Sequence, residues 1–232
     1  MPTVLVTGAS RGLGLELVRQ YAAEGWEVLA CARAPQGAEE LDRLSHASSG
    51  RISIHALDVT DFDAVTALAR ALDGRPIDVL INNAGTMDAR GSGFGSSDFA
   101  AWSGIFRLNA FAPMKVAEAF AAHIALSEHK KLVSISTLMA SMARNQLGGF
   151  YAYRASKAAL NAIMVSLSID LGRRHGIVAA VLHPGWVRTD MGGPRADIDV
   201  ATSVAGLRRV VAGLTREKAG RFWSYDGTEL PW

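Results

Sequence analysis

The sequence predicts an α/β fold, a doubly wound parallel sheet of about seven strands with helices on both faces. Apolar runs of strand length alternate with stretches of helical periodicity along the 232 residues. Several of these runs are apolar on both faces, as in parallel strands that helices cover from both sides. The first run also passes directly into a glycine-rich turn. Together with right-handed crossovers, this alternation indicates one sheet wound in both directions.

The first predicted strand, residues 3–7, leads into the turn Gly8-Ala-Ser-Arg-Gly-Leu-Gly14, and a helix follows to about Gly25. Glycines permit a tight turn and allow a phosphate-bearing ligand to approach the backbone. The N–H groups that open the helix carry partial positive charge, which suits a pyrophosphate. A strand, a glycine turn and a helix in this order predict a Rossmann-type dinucleotide site.

The remaining elements continue the alternation. Strands are predicted at 27–32, 51–57, 77–81, 132–136, 177–182 and 220–225, and helices at 37–47, 61–72, 98–128, 153–174 and 199–214. An interruption of the long helix is predicted near Pro113, and the glycine and serine content of 89–97 predicts a loop. Because the chain has no internal repeat, low-complexity tract or convincing boundary, residues 1–232 are predicted to form a single domain.

Composition argues against several classes of function. The formal net charge of +2 comes from dispersed cations, which predicts no nucleic-acid partner. One cysteine excludes an intrachain disulfide and agrees with a reducing compartment. The six histidines lack metal-ligand spacing, so no metal is expected. No apolar run reaches about 18 residues, and no signal peptide opens the chain, so we expect a cytoplasmic protein without membrane association.

Tyr153 and Lys157 lie four residues apart in one predicted helix, where positions i and i+4 share a face. A phenol is a poor proton donor near neutral pH because its reference pKa is about 10. A nearby positive charge favours the phenolate and lowers that pKa. We interpret the pair as a tunable acid; the alternative is an ordinary amphipathic helix with a surface lysine.

Six motifs resemble those of the short-chain dehydrogenase/reductase family in order and approximate spacing, over essentially the whole chain. They are Thr7-Gly-Ala-Ser-Arg-Gly-Leu-Gly14, Asp58, Asn82-Asn-Ala-Gly85, Asn109, Tyr153-x-x-x-Lys157 and Pro184-Gly-Trp-Val-Arg-Thr189. Within the family, the stretches 153–161, 183–193 and 225–232 are similar to the C-factor and sniffer-type carbonyl reductases. The resemblance implies a dinucleotide cofactor bound by Gly8, Ser10, Arg11, Gly12, Leu13, Gly14, Arg33, Asp58, Val59, Asn82, Ala84, Gly85, Tyr153, Lys157, Pro184, Gly185, Val187 and Thr189.

The charge at the end of the second predicted strand bears on the choice of cofactor. A site that prefers NAD usually places an acid there to hold the ribose 2′-hydroxyl, and that acid would repel a 2′-phosphate. This chain has Ala32 and Arg33 instead, with Arg11 in the glycine turn. We therefore expect NADP(H) to be preferred over NAD(H), although either arginine could be a solvated surface cation.

The resemblance also implies catalytic roles. Tyr153 would protonate a carbonyl oxygen, Lys157 would lower the tyrosine pKa and hold the nicotinamide ribose, and Asn109 would support a proton path to the lysine. An asparagine within a helix can also simply cap or kink it. Alignment with the family favours Thr137 for the catalytic hydroxyl, and the alternative is Ser136, which in a strand would point to the opposite face.

The implied substrate is a small molecule with a carbonyl group. The stretches on either side of the expected cleft carry mostly apolar side chains, which suit an apolar aldehyde, ketone or quinone. These side chains are Leu138, Met139, Met142, Leu147, Phe150, Trp186 and Met191. The alternative function is a signalling or redox-sensing protein of C-factor type that binds NADP with little turnover. Analogy with the family suggests a homodimer or homotetramer, with Ala117, Ala121, Ala158, Ala162 and Leu167 offering small and apolar surface.

Overall fold

The computed structural model describes residues 1–87 and 93–232. Seven parallel strands form one sheet in the order β3-β2-β1-β4-β5-β6-β7. The strands are β1 Thr3–Thr7, β2 Glu27–Ala32, β3 Ile52–Ala56, β4 Val79–Asn82, β5 Lys131–Ile135, β6 Val178–His183 and β7 Phe222–Ser224. The sheet confirms the predicted Rossmann-type fold, and each strand lies within about two residues of its predicted bounds.

Helices cover both faces of the sheet. They are α1 Gly12–Ala23, α2 Glu39–Ala47, α3 Phe62–Ala71, α4 Phe99–Phe106, α5 Ala112–Ala125, α6 Tyr151–His175 and α7 Val200–Ala212. Short 3₁₀ turns occupy Pro35–Gly37, Leu138–Ala140 and Arg216–Lys218. Asp61 begins α3 as its N-cap, since its carboxylate accepts hydrogen bonds from two N–H groups of the first turn.

Two apolar cores lie on opposite faces of the sheet because successive strand residues point to opposite sides. All five residues of β1 are buried. Val4 and Val6 pack on the side of Leu17 in α1, whereas Leu5 packs on the side of Phe120 in α5. This arrangement explains why β1 reads as a continuous apolar run rather than as an alternating one.

The strand order reverses between β1 and β4, since β2 and β3 lie on one side of β1 and β4 to β7 lie on the other. In an open parallel sheet, the crevice at the carboxyl ends of the strands beside this reversal is the usual place for a ligand. The turns that follow β1, β4 and β5 therefore define the edge at which a site is expected.

The predicted break near Pro113 is displaced in the structure. Pro113 lies in the first turn of α5, where its missing N–H costs no helical hydrogen bond. The irregularity instead precedes it, as a π-helical turn over Arg107–Phe111 between α4 and α5. The turn contains Asn109, which connects the irregularity to a residue singled out by the family resemblance.

Part of the predicted loop 89–97 lies outside the described residues, since 88–92 are not described. Within the remainder, both the N–H and the hydroxyl of Ser96 donate to the carbonyl of Gly93.

Every helix within the described ranges is too short or too polar to cross a bilayer. The described residues also include no cluster of three or more His, Cys, Asp or Glu side chains that could bind a metal ion.

Cys31 lies on β2 and is only 1% exposed. Its burial raises the pKa of the thiol to about 12, so the side chain behaves as a small apolar group.

Two residues predicted to offer surface to another subunit are buried: Ala117 and Leu167 pack into the core beneath α5 and α6. These two residues therefore cannot contribute to a subunit interface, and that part of the prediction is wrong.

Candidate active site

The glycine turn after β1 is shaped by close approach of backbone to backbone. Gly8 and Gly12 adopt positive φ angles of 67° and 54°, which favour glycine. At Gly14 a Cβ atom would lie 2.1 Å from the carbonyl oxygen of Gly8, so only glycine fits there. A Cβ at Gly8 would lie 2.9 Å from the Cα of Ala84, so the turns after β1 and β4 pack closely at this point.

The N-terminus of α1 is open towards this turn. Arg11 occupies the N-cap position, and no side chain among the described residues caps the first N–H groups of the helix. Uncapped N–H groups together with the positive end of the helix dipole fit an anionic group such as a cofactor diphosphate. The local geometry of the turn therefore fits the predicted dinucleotide.

Thr7 and Asn83 hold the turns after β1 and β4 together. The Thr7 hydroxyl accepts hydrogen bonds from the N–H groups of Asn83 at 3.0 Å and Ala84 at 3.1 Å. In return, the Asn83 amide donates to the carbonyls of Thr7 at 2.9 Å and Gly8 at 3.1 Å. Neither residue was among the site residues predicted from the sequence, although both lie within the quoted motifs.

The side chain of Asn82 points away from this edge. It is buried at the end of β4, where its amide donates to the Pro113 carbonyl and the Ser134 hydroxyl, both at 3.3 Å. The two adjacent asparagines therefore take different positions, since Asn83 faces the glycine turn while Asn82 connects the sheet to α5. Cofactor contact by Asn82 could come only from its backbone.

Asp58 follows β3 and lies close to two cations. Burial tends to raise its pKa, but hydrogen bonds from Thr60 and the charges of Arg33 and Arg107 hold the pKa below its usual value. The Thr60 hydroxyl donates to the Asp58 carboxylate at 2.7 Å, and its N–H at 2.9 Å. A carboxylate fixed in this way is available to accept an N–H from an adenine amino group.

Arg107 contacts the segment after β3, and it was not predicted as a site residue from the sequence. Its guanidinium donates through Nη2 at 2.7 Å and Nε at 2.9 Å to the carbonyl oxygen of Thr60, and it stacks 4.2 Å from the ring centroid of Phe62. It lies in the π-helical turn, which therefore contacts the segment after β3. The only sequence signal was a cation two residues before Asn109. Val59, the other predicted contact in this segment, is buried.

The segment after β6 reaches across to the glycine turn. The Thr189 methyl would lie 3.6 Å from a Cβ on Gly12, and Arg11 forms an ion pair with Asp190. Pro184 accepts a hydrogen bond from the Ser203 hydroxyl at 2.6 Å. Of the four residues predicted in this segment, the structure therefore places Thr189 beside the glycine turn and Pro184 against Ser203 of α7. The other two are Gly185, which has a positive φ of 84°, and Val187, which is buried.

Tyr153 and Lys157 lie on α6, and both are nearly buried, at 7% and 5% exposed. Burial lowers the pKa of Lys157 to about 8, and its ammonium donates to the carbonyl of Ile135 at 2.8 Å. Burial also raises the pKa of Tyr153, an effect that a hydrogen bond with the Thr137 side chain opposes. The expected lowering of the tyrosine pKa is therefore not met, because the cost of burying a phenolate exceeds the stabilisation it receives.

Thr137 and Ser136 face opposite sides, as expected for consecutive extended residues. The Thr137 hydroxyl interacts with the Tyr153 phenol and accepts the N–H of Met139 at 3.2 Å. The Ser136 hydroxyl donates to the Asn161 amide oxygen at 2.8 Å, within a buried environment. Of the two hydroxyls, Thr137 is therefore the one that acts on the pKa of Tyr153, whereas Ser136 is bound to Asn161.

Asn109 lies fully buried in the π-helical turn. Its amide oxygen accepts the N–H of Thr86 at 2.9 Å, and its nitrogen donates to the Thr86 carbonyl at 2.9 Å and the Ser156 hydroxyl at 3.0 Å. A Cβ on Gly85 would lie 3.2 Å from the Asn109 Oδ1 and 3.3 Å from the Lys157 Nζ. The absence of a side chain at Gly85 thus leaves a small space bordered by both polar groups.

Several apolar side chains in the segments after β5 and β6 are exposed rather than packed into the core. We call this apolar surface the mouth of the site. Met142 is 75% exposed and Leu147 is 92% exposed. Across from them, Trp186 and Met191 are half exposed. His183, beside Pro184, accepts the N–H of Leu138 at 3.3 Å, and burial lowers its pKa to about 4, so it is neutral at physiological pH.

The arrangement agrees with comparisons to known proteins. The profile of short chain dehydrogenases matches residues 2–198. The chain is 45% identical over 157 residues to the C-signal protein of Myxococcus xanthus, covering 68% of this chain and 93% of that protein. The carbonyl reductase Sniffer of D. melanogaster superposes with a TM-score of 0.93 at 32% identity over 100% of both chains. The NADPH-bound carbonyl reductase from chicken fatty liver gives 0.93 at 33% identity, over 100% of this chain and 99% of that one. The chain therefore belongs to the short chain dehydrogenase family of oxidoreductases.

Proposed function

We propose that this oxidoreductase is an NADPH-dependent reductase of apolar aldehydes, ketones or quinones, with Tyr153 as the proton donor. The observation that carries the proposal is the position of Lys157 and Asn109 beside Gly85, at the sheet edge that also holds the glycine turn. Tyr153 lies one turn before Lys157 on α6, where burial raises its pKa and the Thr137 side chain opposes this rise. NADPH, when bound, would supply the hydride that reduces the carbonyl carbon.

The side chains of this protein handle the proton. Because burial keeps the pKa of Tyr153 high, the phenol stays protonated and can donate to a carbonyl oxygen. Thr137 supports the phenolate that donation leaves behind. Lys157 carries a positive charge below its pKa of about 8, and it borders the same space at Gly85 as Asn109, which suits the return of a proton to the tyrosine. Proton donation of this kind typically contributes about 10² to 10⁴-fold to the rate.

The preference for NADP(H) over NAD(H) is supported by two cations near Asp58: Arg33, which follows β2, and Arg107 of the π-helical turn, which contacts the segment after β3. Arg33 and Arg107 both act on Asp58, and β2 ends in Ala32, with no acid to repel a 2′-phosphate. The chicken carbonyl reductase in the comparison contains NADPH. We expect Arg33→Ala to weaken NADPH binding about tenfold and NADH binding less than twofold, measured by fluorescence titration. Equal losses for both cofactors would assign Arg33 no part in the preference.

The substrate class follows from the exposed apolar side chains at the mouth. Met142, Leu147 and Trp186 offer apolar surface, and such surface favours a hydrophobic carbonyl compound over an acidic metabolite.

The proposed oligomeric state, a homodimer or homotetramer, rests on analogy with the family. It can be tested by light scattering, and a monomeric mass would remove it.

The test is NADPH oxidation, followed by absorbance, with a panel of aldehydes, ketones and quinones. Tyr153→Phe removes only the phenolic oxygen, so we expect turnover to fall by about 10² to 10⁴-fold while NADPH binds as before. Binding is followed in parallel by cofactor fluorescence. Turnover that persists in Tyr153→Phe would contradict the assigned proton donor.

A second candidate is a cofactor-binding signalling protein with little turnover. The 45% identity to the C-signal protein is the observation that favours it. Tight NADPH binding without Tyr153-dependent turnover on any compound of the panel would favour this function over the reductase.

A further inference from the structure

The segment Leu138–Phe150, which we call the wall loop, joins the two halves of the proposed catalytic pair. It begins directly after Thr137 and ends directly before α6, which carries Tyr153. The loop therefore sets how far apart the threonine hydroxyl and the phenol can lie. Its exposed side chains, including Met142 and Leu147, also form part of the apolar mouth.

One side chain contacts both ends of the wall loop. Arg154 donates from Nη1 to the carbonyl of Met139 at 2.9 Å, and from Nε to the carbonyl of Gly149 at 3.1 Å. The two donors belong to one planar guanidinium, so they fix the two carbonyls relative to each other. A lysine could reach one of these acceptors but could not reproduce the planar fork.

The end of the loop that Arg154 holds has an unfavourable backbone. Gly148 and Gly149 both have φ of +64°, and Phe150 follows with φ of +48°. A left-handed conformation at a residue with a side chain costs about 1–2 kcal/mol, so the surrounding contacts must hold it in place. The Arg154 N–H donates to the Phe150 carbonyl at 2.9 Å, adding to the side-chain contact with Gly149.

The middle of the loop has a separate anchor. The Trp232 carbonyl oxygen accepts hydrogen bonds from the Ser141 hydroxyl at 3.1 Å and the Ala143 N–H at 3.0 Å. The Trp232 ring stacks on Phe222, with ring centroids 5.6 Å apart. Residues 141–143 are thus held by Trp232, whose ring packs on Phe222 of β7, whereas Arg154 holds the end of the loop at Gly149 and Phe150.

We propose that Arg154 is a positioning residue, which braces the wall loop and so sets the spacing of Thr137 and Tyr153 for proton transfer. The inference rests on the proposed reductase function for its catalytic part. The brace itself stands on the contacts of Arg154 with Met139 and Gly149, which require no substrate. Arg154 is assigned no contact with the reacting atoms.

The brace is tested first without any activity measurement. Trypsin cleaves after lysine and arginine, and Arg144 is exposed in the loop, so the rate of cleavage at Arg144 is followed by the mass of the fragments. We expect Arg154→Met to speed this cleavage about tenfold, since it removes two hydrogen bonds that hold the loop, and Arg154→Lys to give an intermediate rate. The matched control is Arg173→Met, an exposed arginine in the last turn of the same helix, which should leave the rate unchanged. Equal rates in Arg154→Met and the wild type would overturn the brace.

The positioning role is tested by kinetics on the same variants. We expect Arg154→Met to lower kcat about tenfold or more, with NADPH affinity within twofold of the wild type, and Arg154→Lys to restore part of kcat. Alcohol oxidation requires the phenolate, and Thr137 lowers the pKa of Tyr153. Separating the pair should therefore move the rise of oxidation rate to higher pH. An unchanged kcat and pH profile would overturn the positioning role.

Two outcomes separate this inference from the proposed function. If the wild type shows no Tyr153-dependent turnover, the reductase proposal fails, while proteolysis at Arg144 still decides whether Arg154 braces the loop. If Arg154→Met does not fold, Arg154→Lys carries the same measurements. A lysine variant that matches the wild type in cleavage rate, kcat and pH profile would overturn the need for the guanidinium fork.

Discussion

The glycine turn and the wall loop border the same edge of the sheet, but they are held in opposite ways. In the turn, backbone packs against backbone, with a Cβ on Gly14 excluded by the carbonyl of Gly8. In the wall loop, the guanidinium of Arg154 holds the two ends, and side chains such as Leu147 extend into solvent. The cofactor side therefore tolerates little change, whereas the residues at the mouth can vary at small cost in stability. A fold arranged in this way can keep one cofactor while its substrates change.

The most severe test of this contrast is Gly14→Ala. The added methyl would overlap the Gly8 carbonyl, so the turn must deform, and we expect NADPH affinity to fall about 100-fold, or ~2.7 kcal/mol. Cofactor fluorescence titration measures the loss. The control is Gly104→Ala in α4, where nothing lies within 4 Å of the new Cβ and stability should rise by about 0.5–1 kcal/mol. Affinity within threefold of the wild type for Gly14→Ala would show that the turn relaxes readily.

Burial of the Lys157 ammonium in the proposed active site is expected to lower the stability of the folded protein. Its pKa of about 8 in the folded protein lies below the ordinary 10.5. Below pH 8 the folded protein therefore bears the full cost of a buried cation, on the order of 3 kcal/mol. Between pH 8 and 10.5 the unfolded chain binds more protons at this site, so stability rises with pH.

We expect Lys157→Met to raise the free energy of unfolding at pH 7 by about 2 kcal/mol, because the hydrogen bond to Ile135 is also lost. Urea unfolding at pH 7 and pH 10 measures the effect. The advantage of the variant should shrink at pH 10, where the wild-type lysine is largely neutral. A variant less stable than the wild type at pH 7 would show that burial of this cation is fully compensated.

Thr137→Ala sharpens the contrast at the junction of β5 with the wall loop. Loss of the hydroxyl beside Tyr153 should lower kcat about tenfold, the equivalent of ~1.4 kcal/mol. Ser136→Ala is the matched control, since its hydroxyl contacts Asn161 instead; it should lower stability by about 1 kcal/mol with little effect on kcat. Steady-state kinetics and thermal unfolding give the two readouts. A larger kcat loss in Ser136→Ala would reassign the role of the hydroxyl.

The smallest expected effect concerns Asp190, which links the segment after β6 to the glycine turn through Arg11. Both side chains are exposed, so the ion pair itself stabilises little. Asp190→Asn frees Arg11 to face an anionic cofactor, and we expect NADPH affinity to rise about threefold at low salt and less at high salt. Weaker binding in the variant would instead indicate that Asp190 orders the cofactor site.

Local patterns in the sequence predicted most of the fold. The strands, the glycine turn and the Tyr153/Lys157 face each follow from residues close together in the chain. The π-helical turn does not, because it depends on Asn109 closing on Thr86, which is 23 residues away. The contact of Arg107 with Thr60 spans 47 residues, and no spacing rule indicates it.

The pKa of Tyr153 shows a different limit of the sequence. A lysine four residues away predicts a lowered pKa, but burial is a property of the whole fold, and here it raises the pKa of Tyr153 against the opposing hydrogen bond with Thr137. The contacts of Arg154 were missed for a similar reason, since its two acceptors come from opposite ends of a loop. The resemblance to the family favoured Thr137 over Ser136, and the alternation of a strand, which is local, placed the two hydroxyls on opposite faces.

The buried thiol of Cys31 can report local opening of β2. A thiolate is the reactive form of cysteine, and a pKa of about 12 with 1% exposure keeps this one silent while β2 stays in the sheet. It is the only cysteine in the chain, so the rate of labelling by a thiol reagent reports how often that strand is released. A cofactor that binds only the folded protein lowers this labelling rate in proportion to the fraction of the protein that it occupies. NADPH and NADH can thus be ranked before any substrate is known.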